Sequence, residues 1–128
     1  MNNRYVYYGT TGLFAFAMTG SGLADIFRVD AIKEAMVHLG YPAYFPVILG
    51  VWKVLGAIAI TVPGFLRLKE WAYGGFFVAL TGAFASHLAA GDAIGEGIAP
   101  IIILSLGMAS WATRPAERSL GGAVFPSA

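Results

Sequence analysis

The chain of 128 residues has no cysteine and little charge, with Lys, Arg, Asp and Glu at 12% of the composition. Without cysteine there are no disulfides, thiolate nucleophiles, iron–sulfur clusters or zinc ribbons. A soluble domain carries about 25% charged residues. Half that allowance cannot solubilise a small domain whose residues are 58% hydrophobic, with a mean hydropathy of +0.71. A net charge of +1 supplies no basic face for phosphates, so no nucleic-acid partner is expected. Phosphate loops, nucleophile elbows and dinucleotide fingerprints are also missing. The class that remains is an integral membrane protein of one domain.

Long apolar runs fill the chain instead. A bilayer core takes about 20 apolar helical residues to cross. Four stretches come close: 5–24, 44–66 with one lysine inside, 71–91 with one histidine, and 97–113. None alternates with the period of two that a membrane barrel needs. The expected fold is therefore all-α: an integral membrane four-helix bundle over residues 1–118, followed by a flexible tail, 119–128. The first run is longer than the 7–15 residues usual for a signal-peptide core, so it is read as a retained span.

The short loops fix the expected orientation. Arg4, Arg67, Lys69, Arg114 and Arg118 fall on one side, and Arg28 and Lys33 on the other. Five against two puts both termini in the cytoplasm. Trp71, Tyr73 and Trp111 sit near span ends, where an interfacial aromatic belt belongs. The first extracytoplasmic loop carries a short amphipathic helix. Asp30 serves as its N-cap, Ile32, Met36 and Leu39 form its apolar stripe, and Gly40 with Pro42 ends it. It is expected to lie on the outer interface or to fold over the bundle mouth as a packed lid.

Small residues mark the expected helix contacts: Gly9, Gly12, Thr19 and Gly20 in the first span, Gly50, Gly56 and Ala57 in the second. The third offers Ala79, Ala83 and Ala90 beside Gly75, Gly82 and Ser86, and the fourth Ser105 and Ala109.

Lys53 is the residue most out of place. It lies roughly 13 Å inside its span, where a lysine costs at least ~2.5–3.5 kcal/mol. Its spacing to Gly50, Gly56 and Ala57 turns it inward. Two readings stand: a pocket cation or proton-exchanging amine, or an ammonium that snorkels to the outer interface or is tied to Asp25 only to lock two helices. His87, Ser86, Asp25 and Asp92 share the outer half with Lys53 and could line one water-accessible cavity with it. These five are the candidate ligand-binding residues. His87 alone also reads as an ordinary interfacial histidine. No catalytic residue is assigned, because a stand-alone enzyme would need a matched acid–base pair, and only His87 with Asp25 or Asp92 offers one. No metal site is expected: His38 and His87 lie in different segments without His-x-x-His or Glu-x-x-His spacing.

The run Pro63-Gly64-Phe65-Leu66-Arg67-Leu68-Lys69-Glu70-Trp71-Ala72-Tyr73-Gly74-Gly75-Phe76 resembles the DoxX-like family. So do Leu55-Gly56-Ala57, Leu80-Thr81-Gly82-Ala83, Ser86-His87, Gly91-Asp92 and the turn Leu39-Gly40-Tyr41-Pro42. The resemblance spans about residues 8 to 113. It implies a small multi-pass protein of the bacterial inner membrane, and relatives that serve membrane oxidoreductases. Within the motif, Arg67, Lys69, Glu70, Trp71 and Tyr73 are expected to be structural, with Arg67 and Glu70 as a topology-fixing charge pair. The functional expectation is a non-catalytic subunit that binds a small apolar molecule, a quinone or a lipid, and is accessory to a membrane redox complex. Expected partners are membrane lipids and a soluble or membrane redox protein, with homo-oligomers left open. A membrane assembly chaperone or stress-response protein, or a small transporter, stands as the alternative.

Overall fold

In the computed structural model, which describes residues 3–118, the chain is all-helical. Five α-helices follow in order: α1 Asn3–Phe27, α2 Asp30–Leu39, α3 Phe45–Thr61, α4 Leu66–Ala89 and α5 Ile98–Ala112. Short 3-10 turns at Ile94–Gly97 and Ala116–Arg118 precede and follow α5. No strand occurs among the described residues. The tail, 119–128, lies outside them.

Side-chain contacts give the packing order. Gly22 of α1 meets Gly50 of α3, while Tyr7 and Thr61 share Arg118 at the other end of the same pair. Phe76 of α4 packs on Gly56 of α3, Tyr73 on Ser110 of α5, and Phe14 of α1 on Gly107 of α5. Each long helix is thus antiparallel to the two it touches, as short connections dictate. The core gathers Phe14 and Met18 with Ala57, Ile60, Tyr73, Phe76, Leu80 and Leu104. Phe14 and Phe76 meet edge to face at 5.0 Å, the geometry favoured by the ring quadrupoles.

The close approach of α1 to α3 is where glycine is indispensable. A Cβ on Gly22 would sit 2.9 Å from the Gly50 carbonyl oxygen, and one on Gly50 would collide with the Gly22 carbonyl. The small residues expected to make the contacts from α1 are displaced in register. Gly9, Gly12 and Gly20 have open space where a Cβ would stand, and Gly22 takes their place. Small residues are needed only on the narrow stripe where backbones cross.

Two segments, Leu66–Ala89 and Ile94–Ala112, are long and apolar enough to cross a membrane. The helix α3 is apolar but has 17 residues, and α1 interleaves Tyr7, Tyr8, Thr10, Thr11, Thr19 and Ser21 with its apolar positions. Helix limits depart from the hydropathy limits at the 61–66 corner. There Val62, extended ahead of Pro63, ends α3 five residues early, and Gly64 and Phe65 turn the chain with left-handed backbone angles, φ 77° and 53°. The Phe65 carbonyl then accepts the Lys69 N–H, so Arg67, Lys69 and Glu70 form the first turn of α4 rather than a loop.

The expectations for α2 are corrected in two respects. Val29 is the N-cap, and Asp30 is already in the first turn without a capping hydrogen bond. A packed lid is not observed either: no residue of α2 is buried, and Ile32, Ala35, Met36 and Leu39 are half-covered. Its C-terminus matches expectation. Gly40, at φ 82°, donates to Met36 O, and Tyr41 N–H reaches the same carbonyl, a closed left-handed cap.

Candidate functional site

The crossing at Gly22 and Gly50 positions the first site. Because the helices are antiparallel, Lys53 lies beside Gly22 and Asp25 beside Gly50. The Lys53 Nζ donates to Asp25 Oδ2 and to Ser21 Oγ, each at 2.8 Å. With the Asp25 side chain 5% exposed and that of Lys53 14%, the pair lies between α1 and α3, not on the outer surface. Of the two readings of Lys53, the tie to Asp25 is the geometry observed. Ser21 completes it, a partner the sequence signals only by its position four residues before Asp25, on the same helical face.

A groove opens between α3 and α4, with a volume of about 770 Å³. Trp52, Leu55, Ala72, Gly75, Phe76 and Ala79 are among its walls, and Lys53 is its one charged lining residue. The groove runs from the level of Lys53 and Ala79 to that of Val62 and Leu68, with Trp71 near the latter end. It exists because α4 carries alanine and glycine where α3 carries larger side chains. At Gly75 nothing comes within 4 Å of where a Cβ would stand.

The other candidate residues gather at the end of the bundle where α4 gives way to α5. His87 Nδ1, in the last turn of α4, donates to Asp92 Oδ2 at 2.7 Å. His38 Nε2, in the last turn of α2, bonds the other oxygen, Oδ1, at 2.6 Å. These hydrogen bonds, that of His87 first, hold the Asp92 carboxyl below its usual range. Ser86 gives its proton to Gly82 O and accepts one from Tyr41 at 2.5 Å. The five candidates therefore do not line one cavity. Lys53 and Asp25 form one group, and Ser86, His87 and Asp92 another on the far side of α4's last turn. Depth along a helix is legible from spacing, while the direction a residue takes around the bundle is not.

The motif residues hold the opposite end together. Lys69 is fully buried and donates to Ala59 O, at 2.8 Å, and to Val62 O. It caps the carbonyls that α3 leaves unpaired, with Arg118 on Thr61 O at 3.0 Å beside it. Glu70 pairs with Arg114 and accepts Trp111 Nε1 at 3.1 Å, so its partner is Arg114 rather than Arg67, which is exposed. Tyr73 bonds Ser110 Oγ at 2.7 Å, and Thr11 bonds the same hydroxyl, joining α1, α4 and α5 in the core. Trp71 stands outward.

Comparison with protein families gives a match to the DoxX-like family over residues 9–110, most of the chain. The chain belongs to the DoxX-like family. The matched region contains the Lys53–Asp25 pair, both groove walls and the Asp92 cluster. It leaves out Arg4, Arg114, Glu117 and Arg118, so the ion pairs made by the chain ends lie partly outside what defines the family. Comparisons with curated proteins and with solved structures return no match.

Proposed function

We propose that this DoxX-like protein is a multi-pass protein of the bacterial inner membrane, spanning it with α1, α3, α4 and α5 and keeping both termini in the cytoplasm. It acts there as a non-catalytic subunit that holds one apolar small molecule with a polar end, a quinone or a lipid, for a membrane redox complex. The observation that carries this is the α3–α4 groove, whose about 770 Å³ is within the range of small-molecule sites and whose walls bear one charge. The outward faces support the membrane setting. Phe16, Trp52, Trp71, Val78 and Ile102 are all more than half exposed, and water would penalise such a surface. In a bilayer the groove opens sideways into the acyl chains, so a lipid-soluble molecule enters without crossing water. Its chain lies along Ala72, Gly75 and Ala79, and its polar end reaches the level of Lys53. An accessory role in redox chemistry follows from the ligand class together with the lack of any electron carrier in the chain's own residues.

The test is organic extraction of the purified protein followed by mass spectrometry. One quinone or lipid species retained near stoichiometry is expected, and Gly75→Leu, which fills the groove without a clash, should expel it. If nothing is retained, or the filled groove retains as much as the open one, the proposal fails.

A further inference from the structure

Asp92 and its surroundings are not used by the groove, and they have the composition of a metal site. Three segments meet there: the last turn of α2 brings His38, the turn after α4 brings Asp92, and the 3-10 turn before α5 brings Glu96. One donor atom from each, an imidazole nitrogen and two carboxylate oxygens, all lie within 4.8 Å of one another. We propose that His38 Nε2, an Asp92 oxygen and a Glu96 oxygen bind one divalent transition ion of the zinc class, with His87 as the positioning residue for Asp92.

The charge arrangement motivates this first. Two carboxylates stand side by side, and Glu96 has no ion-pair partner among the described residues. Asp92 meets only two imidazoles. Like charges held at this distance repel, and a divalent ion between them removes the repulsion. The donor set then narrows the ion. One nitrogen and two oxygens suit zinc and its first-row neighbours, whereas a copper(I) site would call for thiolates or thioethers. With zinc–ligand distances of about 2.0–2.2 Å, His38 Nε2 and Asp92 Oδ1, now 2.6 Å apart, must part to admit the ion, and Glu96 must close on it. The His38 side chain, 54% exposed, and the exposed Glu96 have room to swing, while the Asp92 side chain is 8% exposed and fixed.

The fixed member is held as a metal-bound carboxylate usually is. His87 Nδ1 grips Oδ2, the Asp92 N–H donates to His87 O at 3.0 Å, and Gly91 at φ 84° turns the chain between them. That leaves Oδ1 facing His38. Entry of the ion replaces the proton that His38 and Asp92 share, the His38 ring drawing back to admit it while Asp92 stays in place. Three protein ligands leave a fourth position for water or for a donor from a partner. The ion would also fasten α2, which has no buried residue and is otherwise tied to α4 by the Tyr41–Ser86 bond. The site does not depend on the groove, since none of its residues lines it.

Untagged full-length protein, stripped with chelator in detergent, is titrated with zinc by calorimetry. Saturation at one ion per chain is expected, with X-ray absorption showing nitrogen and oxygen donors at about 2.0–2.2 Å and no sulfur. His38→Ala and Glu96→Gln should each weaken binding at least tenfold, and His87→Ala by about 10–100-fold. Arg67→Gln, exposed at the opposite end of α4, serves as the unaffected control. Circular dichroism reports the fold of each variant. Glu96→Gln removes no bond within the protein, so it decides the matter even if His38→Ala unfolds. Absence of saturable zinc binding, or zinc binding unchanged in Glu96→Gln, overturns the proposal.

Discussion

Replacing Lys53 by methionine keeps the volume of the side chain and deletes its charge, leaving the Asp25 carboxylate at an almost closed helix crossing. At 2.8 Å the direct attraction is about 6 kcal/mol for an effective dielectric near about 20. The cost of desolvating both groups takes back much of that. What the single variant loses is the stabilisation of a carboxylate that can neither move to water nor find another cation, about 3–5 kcal/mol. Asp25→Asn should lose less, since the amide still accepts from Lys53 and Ser21 remains at 2.8 Å. The informative variant is Lys53→Met with Asp25→Leu, which removes both charges together. It should return to within about 1 kcal/mol of the parent or exceed it, because a well-packed apolar pair replaces a buried ion pair without penalty. Equilibrium unfolding in mixed micelles, followed by circular dichroism, gives all three numbers and a coupling energy. A Lys53→Met cost under about 1 kcal/mol, or a double variant no better than the singles combined, would refute the locked pair.

The glycine crossing makes a sharp contrast. Gly50→Ala should destabilise by about 1–3 kcal/mol because its methyl meets the Gly22 carbonyl, whereas Gly75→Ala, facing open space, should gain about 0.5–1 kcal/mol from helix propensity; the same unfolding assay compares them. Lys69→Met leaves Ala59 O and Val62 O without their donor and should cost about 1–3 kcal/mol, with faster amide exchange confined to the last turn of α3. Hydrogen bonding from Arg4 places Glu117 below its ordinary 4.5. A depressed carboxyl stabilises above the unfolded value and stops doing so as pH falls through the folded one, so this contact should weaken below pH 4.5. Thermal scans from neutral to acid pH should show that part of the slope vanish in Arg4→Gln, and an unchanged slope would dissociate Glu117 from it.

The four long helices and α2 are legible in the sequence because apolar run length and spacing report burial directly. Lys53 was legible as inward-facing for the same reason: three small residues at helical spacing mark the side on which another backbone must approach. What the pattern cannot carry is the azimuth of one helix against the next. Hydropathy places Lys53 and His87 in the same half of the bundle, yet Lys53 bonds Asp25 of α1 and His87 bonds Asp92, and nothing in either span encodes that rotation. The corner at 61–66 escaped for a related reason. Uncharged residues continue through Val62-Pro63-Gly64-Phe65, while Val62, extended ahead of Pro63, ends the helix regardless of hydropathy. His38 and Glu96 were invisible as a pair because 58 residues separate them and only the folded turns bring their donors together.

The distribution of polar groups between the two ends then has a consequence for how the bundle works. At the end where α3 hands over to α4, Lys69 bonds α3, Glu70 bonds Arg114 and Tyr73 bonds Ser110. These contacts tie α1, α3, α4 and α5 to one another, so that end moves as a unit. The opposite end is joined differently, with α2 bonded to Asp92 through His38, the following Tyr41 bonded to Ser86, and no residue of α2 buried. The Lys53–Asp25 pair fastens one groove wall, α3, to α1, and the other wall is α4. The Asp92 cluster sits at the outer tip of that same helix. A cation gathered there would pull the tip of α4 toward α2, setting the rigidity of one groove wall from a site the groove ligand never touches.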